Sequence, residues 1–141
     1  MERVVAVETG ASKYVENITI GPHTVQADEP VAMGGGDSAP NPYELLLSAL
    51  GACTAITVQM FAERHRWPLE KVHVELSHSK VHATDCANCA APTSRLDHVD
   101  MAIRFVGELS EEQRRKLMDV AEHCPLHRTL AAGLEISVRE H

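Results

Sequence analysis

Cysteine thiols are the groups in this sequence best suited to chemistry, and the chain has four of them. Cys53 lies within a long apolar run, and Cys124 directly precedes Pro125. The first nine residues carry charges and lack the apolar run of a secretory signal, so we expect a soluble, cytoplasmic protein. In that reducing compartment, cysteines serve packing, metal binding or redox chemistry in preference to a disulfide scaffold.

Two interpretations of Cys53 are open from its own segment. Free cysteine is among the most buried residue types, so Cys53 can be a small core residue. Apolar surroundings disfavour the thiolate, and reactivity would need a cationic neighbour from elsewhere in the fold. Gly51 is unfavourable inside a helix, and we interpret it as allowing another backbone or a substrate to approach.

Cys124 stands where reactivity is favoured. If Pro125 begins a short helix, Cys124 is its N-cap, where the positive end of the helix dipole stabilises a thiolate. His123, His127 and Arg128 add possible positive charge around it. The alternative is a core cysteine that closes the preceding helix.

The remaining cysteines, Cys86 and Cys89, form a CxxC motif in a predicted loop. Such a motif is redox-active in some folds and half of a zinc site in others. His78 and His82 would lie about 13 Å apart on one strand, so both cannot easily bind one ion. His82 and His98 could bind the same ion if their strands pair. We favour no chemistry for this pair and predict no metal site.

Short strands and two main helices surround these thiols. Alternating apolar residues predict strands over 3–8, 13–20, 23–28, 72–76, 99–105 and 134–138, with the fourth and fifth pairing as a hairpin. The predicted long helix runs over 41–66, capped by Asn41 and Glu44, with Cys53 near its middle. Ser110 and Gln113 predict a second capping box, and a short helix follows over 125–130. This order predicts an α+β fold in a single domain, residues 1–141.

Bulk composition excludes some classes of partner. The net charge of −7 argues against nucleic acid and against an anionic membrane surface, because both attract basic faces. Polar residues interrupt the apolar run at 45–61, which we expect to be too short and too polar to span a membrane. Aromatic residues are only 4% of the chain, so an aliphatic core is expected, and a dimer would help to bury it.

Two motifs resemble the OsmC/Ohr family. They are NPYELLL at 41–47 followed by ALGAC at 49–53, and CPLHRTL at 124–130. The resemblance implies an antiparallel sheet wrapped around a long central helix in an intertwined homodimer. It also implies a cysteine-based hydroperoxide reductase in which Cys53 is the peroxidatic thiol and Cys124 the resolving thiol. The partners would be a hydroperoxide and a dithiol reductant, and no metal or organic cofactor is required.

The sequence departs from the family pattern beside the first motif. Active members place a glutamate directly after the Asn-Pro pair and an arginine on an N-terminal loop, whereas this chain has Tyr43, then Glu44, and offers Lys13. On an ideal helix Glu44 points about 180° away from Cys53 and Tyr43 about 80° away, so Glu44 is a helix cap and Tyr43 faces the site. Lysine cannot reproduce the planar contact of arginine, and Arg128 is a candidate to compensate.

Two other functions remain open from the sequence. In the first, an apolar groove beside the central helix binds a small hydrophobic ligand or thiol metabolite, and the cysteines act as sensors or packing. In the second, Cys86 and Cys89 bind a metal in a dimer.

Overall fold

The computed structural model describes residues 2–82 and 95–141, so Cys86, Cys89 and the predicted loop lie outside the described residues. The chain divides into two compact units, Met1–Ser48 and Ala49–His141, with the boundary inside the long helix. Each unit is described by itself. The prediction of a single domain over 1–141 stays a prediction.

The first unit contains the predicted meander. Strands β1 (Val5–Thr9), β2 (Glu16–Ile20) and β3 (His23–Ala27) pair antiparallel in sequence order. The second strand begins three residues later than predicted, because the Gly10 N–H donates to the Val15 carbonyl at 2.7 Å and closes a turn. Lys13 therefore lies in this turn, with a left-handed φ of 27°.

Helix α1 (Pro42–Arg64) is the predicted long helix, and its N-terminal cap is confirmed. The Glu44 N–H donates to Asn41 Oδ1 at 2.9 Å, and the Asn41 N–H donates to Glu44 Oε1 at 3.3 Å. This reciprocal pair satisfies donors that the first helical turn leaves without partners. At the other end Arg66 has a left-handed φ of 57°, and the chain leaves the helix there.

The predicted hairpin is present and longer than expected. Strands β4 (Leu69–His82) and β5 (Arg95–Gly107) pair antiparallel, with Val74 opposite Ile103. The prediction covered only the apolar part of each arm, whereas the pairing continues through polar residues towards the loop. At the other end only glycine fits position 107, since a Cβ there would lie 2.2 Å from the Pro68 carbonyl oxygen.

The second unit has its core between α1, the hairpin and helix α2 (Glu111–Ala121). Its buried members are Val58, Ala62, Phe105, Leu117 and Ala121. The α+β class is confirmed by this mixture of antiparallel strands and a long helix.

Two further local predictions concern the ends and faces of helices. The Ser110–Gln113 capping box is confirmed, with both hydrogen bonds formed at the start of α2. The interpretation of Gly51 needs correction: a Cβ there would meet the Leu76 Cδ1 methyl at 2.8 Å. Gly51 therefore lets α1 pack closely on a β4 side chain, and the neighbour at this position is not another backbone.

The predicted last strand, residues 134–138, is wrong. After helix α3 (Pro125–Ala132) the chain has no regular secondary structure, and its apolar side chains are exposed, Val138 at 92%. Alternation of apolar and polar residues is not sufficient for a strand, because a strand also needs a neighbour for its backbone hydrogen bonds. Among the described residues no strand pairs with this segment.

The expectation that the long apolar segment is too short and too polar to span a membrane is not supported by its length and composition. Helix α1 has 23 residues, and its most apolar window has a mean hydropathy of 1.8, which suffices for a span by these two criteria alone. The central helix of a soluble domain passes the same test. The packing of Val58 and Ala62 in the core favours that second interpretation.

Candidate functional site

Cys53 lies in the middle of α1 and is half-buried. It shares one helical turn with Leu50 and Thr54, both of which are buried. Its thiol is free, like that of Cys124, among the residues that the structure describes. A half-buried thiol beside a buried face is accessible to a small reagent and close to the packed interior.

Cys124 is the N-cap of α3, as the sequence predicts. The His127 N–H donates to Cys124 Sγ at 3.2 Å, and Pro125 occupies the first helical position. The cysteine has extended backbone angles, φ −63° and ψ 145°, and no exposed surface. The sulfur thus takes the place of the oxygen that usually caps a helix.

Thr54 connects the two cysteine-bearing segments. Its Oγ1 lies 2.9 Å from the Leu50 carbonyl oxygen and 3.7 Å from Cys124 Sγ, and its side chain has no exposed surface. Because Thr54 directly follows Cys53, this contact brings the middle of α1 to the start of α3. Sequence reasoning missed Thr54, although a threonine within an almost wholly apolar helix is a signal that its hydroxyl has a buried partner.

An apolar cavity of about 440 Å³ lies within the second unit. Its walls come from β5, from the end of α2, from α3 and from Leu50 of α1. They comprise Leu50, Val99, Met101, Ile103, Met118, Ala121, Glu122, His127, Leu130 and Ala131. Its size fits a small organic molecule, and its few polar groups lie close to Cys124 in sequence.

The predicted supporting residues are divided between the two units of the chain. Lys13, Tyr43 and Glu44 belong to the first unit, and Glu44 is engaged in the α1 cap. Arg128 is exposed on α3, and only its backbone N–H reaches Cys124, donating to the carbonyl oxygen at 3.1 Å. Roles for these four residues in catalysis stay predictions.

The histidines of the hairpin do not assemble a metal site in the described part of the chain. The strand register places His82 opposite Arg95 and His98 opposite Ser79. His82 and His98 are therefore not opposite each other, and the register separates them by three positions along the hairpin. His78 Nε2 instead lies 2.7 Å from the Asp97 carboxylate. That hydrogen bond, with the charge of nearby Lys80, lowers the pKa of Asp97.

Asp28 is a second residue that sequence reasoning missed. Its carboxylate is buried and accepts hydrogen bonds from the Ser38 N–H at 3.0 Å, the Ser38 hydroxyl at 2.7 Å, and the N–H groups of Glu29 and Gly36. The Ser38 backbone bond is the largest cause of a lowered pKa for Asp28, against burial, which raises it. The glycine-rich segment before α1 is therefore folded around a carboxylate.

We expect Asp28→Asn to destabilise the protein at pH 7, and the difference from wild type to shrink in acid. Folding lowers the pKa of Asp28. The contribution of its carboxylate to the free energy of unfolding is therefore fully present above the pKa of the unfolded state, about 3.9, and is lost as the pH falls through the pKa of the folded state. Thermal unfolding at pH 7 and pH 3 measures this. Asp37→Asn is the matched control, since Asp37 is exposed and asparagine tolerates its left-handed φ of 53°. An equal loss at both pH values would contradict the role of the charge.

Comparisons with known proteins identify the family. The sequence model of the OsmC-like protein family matches residues 34–139, so the chain belongs to that family. No curated protein sequence matches the chain. Members of the family are soluble proteins, which agrees with α1 as a central helix.

Solved structures share the fold at low sequence identity. An OsmC-like protein from Mycoplasma pneumoniae has a TM-score of 0.71 at 17% identity, with 93% of this chain and 88% of that chain covered. An organic hydroperoxide resistance protein OsmC from Legionella pneumophila has a TM-score of 0.65 at 18% identity, with 91% of this chain and 88% of that chain covered. An organic hydroperoxide resistance protein from Elizabethkingia anophelis has a TM-score of 0.66 at 14% identity, with 91% of this chain and 86% of that chain covered. These likenesses establish the fold.

Proposed function

We propose that this protein is a thiol-dependent hydroperoxide reductase that acts in oxidative stress defence in the cytoplasm. The observation that carries the proposal is the contact of Thr54 with Cys124 Sγ, which joins the helix turn of Cys53 to the N-cap of α3. Two free thiols on adjoining elements, one half-buried and one buried, suit a nucleophile and its resolving partner.

The reaction needs only these two thiols and a reductant. The Cys53 thiolate attacks the peroxide O–O bond, the alcohol leaves, and Cys53 becomes a sulfenic acid. The Cys124 thiol then condenses with it, forming a Cys53–Cys124 disulfide and releasing water. A dithiol reductant supplies two electrons by thiol–disulfide exchange and restores both thiols. In this scheme no metal or organic cofactor takes part.

Family membership supports the peroxide chemistry. Two proteins that share the fold are organic hydroperoxide resistance proteins, although each is less than 25% identical to this chain. We propose that Tyr43 faces the site in this chain, that Lys13 contributes a positive charge, and that Arg128 adds a second one. The roles of Cys53 and Cys124 rest on the motif resemblance together with the geometry around Thr54.

We further propose that the protein acts as a homodimer, as OsmC-like proteins typically do. Helix α1 exposes Ile56 and Met60, each over half accessible, and the segment 134–138 leaves an alternating apolar pattern without a strand partner. A second copy that covered these residues would bury apolar surface that is otherwise in contact with water.

Hydroperoxide consumption with a small dithiol as the reductant tests the proposal. We expect an aryl or alkyl hydroperoxide to be converted to its alcohol over many turnovers, with one dithiol oxidised for each peroxide. A monothiol reductant at the same thiol concentration is the control and should support slower turnover. No consumption above the rate of the dithiol alone would contradict the proposed function.

The apolar cavity favours a second candidate, a non-enzymatic module that binds a small hydrophobic ligand. Equilibrium titration with a small apolar fluorophore distinguishes the two. Saturable binding that is weakened by Ala131→Trp, a change that fills the cavity, together with no peroxide consumption, would favour the ligand-binding function.

A further inference from the structure

Thr54 is a fully buried polar side chain on the central helix, and its hydroxyl has two neighbours of different kinds. One is the Leu50 carbonyl, which can only accept, and the other is Cys124 Sγ, which donates as a thiol and accepts as a thiolate. Bonding to the carbonyl of the preceding turn is common for threonine in helices. Contact with a cysteine sulfur 70 positions along the chain requires the tertiary fold.

A hydroxyl group can serve both protonation states of this sulfur. While Cys124 is a thiol, the Thr54 hydroxyl can donate its hydrogen bond to the Leu50 carbonyl, and the hydroxyl oxygen can accept from the S–H group. When Cys124 becomes a thiolate, the hydroxyl proton can turn to the sulfur, which the His127 N–H already reaches. The sulfur therefore keeps a partner on the α1 side throughout the reaction.

We propose that Thr54 is a positioning residue that holds Cys124 Sγ in place for attack on oxidised Cys53. This inference rests on the proposed function, since it assigns a role in the resolving step. Disulfide formation requires specific S–S distances and torsions. The buried Cys124 sulfur is contacted by both Thr54 and His127, which restricts it to fewer positions and favours the reactive geometry. Because Thr54 does not contact the peroxide in this scheme, it should affect resolution and leave the first oxidation unchanged.

The test compares Thr54→Val, which has nearly the same shape without the hydroxyl, with Thr54→Ser, which keeps it. Each protein is mixed with one equivalent of an organic hydroperoxide without reductant and quenched at successive times. Mass spectrometry follows the sulfenic acid, trapped with a cyclic diketone, and the Cys53–Cys124 disulfide. We expect Thr54→Val to form the disulfide about tenfold more slowly, the effect of losing one hydrogen bond to a charged group, and to accumulate sulfenic acid. Thr54→Ser should restore the rate.

Thr57→Val is the matched control, because it makes the same chemical change about one turn further along α1. Thr57 is partly exposed, and its hydroxyl has no hydrogen bond to either cysteine in the part of the chain that the structure describes. The Thr57→Val variant should form the Cys53–Cys124 disulfide at the wild-type rate. If Thr54→Val also forms the disulfide at that rate, or if Thr54→Ser is as slow as Thr54→Val, the positioning role is wrong.

A second oxidant separates this inference from the proposed function. Diamide accepts the Cys53 thiolate at its N=N bond, and Cys124 then displaces the hydrazine, so the disulfide forms without peroxide and both electrons go to the diamide. If wild type fails with peroxide but forms the disulfide with diamide, the proposed function is wrong, and the Thr54 variants still report on positioning. If neither oxidant yields a Cys53–Cys124 disulfide in wild type, the positioning role is wrong as well.

Discussion

Replacing Cys53 by serine is expected to abolish peroxide consumption, lowering the rate at least about a hundredfold, the scale on which catalytic nucleophiles act. A hydroxyl at this place cannot attack the O–O bond at neutral pH, and no sulfenic acid can form on it. The substitution is small, and Cys53 is only half-buried, so the fold should remain. The measurement is the initial rate of hydroperoxide loss with a dithiol reductant.

The control for Cys53→Ser is a variant with Cys86 and Cys89 both replaced by serine. The proposed reaction does not use this second pair, so that variant should consume peroxide at the wild-type rate. Unchanged turnover in Cys53→Ser would remove Cys53 from the mechanism. Loss of turnover only in the double variant would transfer the chemistry to the CxxC motif.

Replacing Cys124 by serine is expected to stop the reaction after its first step. Serine is a favoured N-cap, so it can accept the His127 N–H and keep α3 in place while it removes the resolving thiol. One equivalent of peroxide should then be consumed, and Cys53 should remain as a sulfenic acid or as a mixed disulfide with added thiol. Mass spectrometry of the peptide that contains Cys53 detects either product.

Cys124→Ala provides the control for this experiment, because alanine removes both the thiol and the cap. It should trap the same Cys53 adduct and unfold at a lower temperature than Cys124→Ser. Absence of any adduct on Cys53 in Cys124→Ser, with multiple turnovers continuing, would contradict the resolving role of Cys124.

The elements that the sequence predicts well are those specified by neighbouring residues. Asn41 with Glu44, and Ser110 with Gln113, form capping boxes whose partners are three positions apart, so their donors and acceptors can be read directly. Pro125 after Cys124 specifies a helix start in the same way. The Cys124 cap could therefore be predicted from the sequence.

Contacts between distant segments could not be predicted in this way. Thr54 meets Cys124 across 70 positions, and Asp28 collects donors from the loop that follows it, both through the tertiary fold. The strand predicted over 134–138 is wrong because local sequence was taken as sufficient. Its alternating pattern is typical of a strand, but pairing depends on a neighbouring strand that the pattern does not specify. The Lys13 turn likewise depends on a backbone hydrogen bond between Gly10 and Val15.

The proposed mechanism requires that Cys53 and Cys124 meet and react, and peptide mapping before and after one equivalent of an organic hydroperoxide shows whether they do. Without added reductant, we expect a new disulfide between the two peptides and loss of the peroxide. Free thiols at both positions with the peroxide unconsumed would contradict it and leave ligand binding as the function. A Cys86–Cys89 disulfide in its place would show that the other pair is the reactive one.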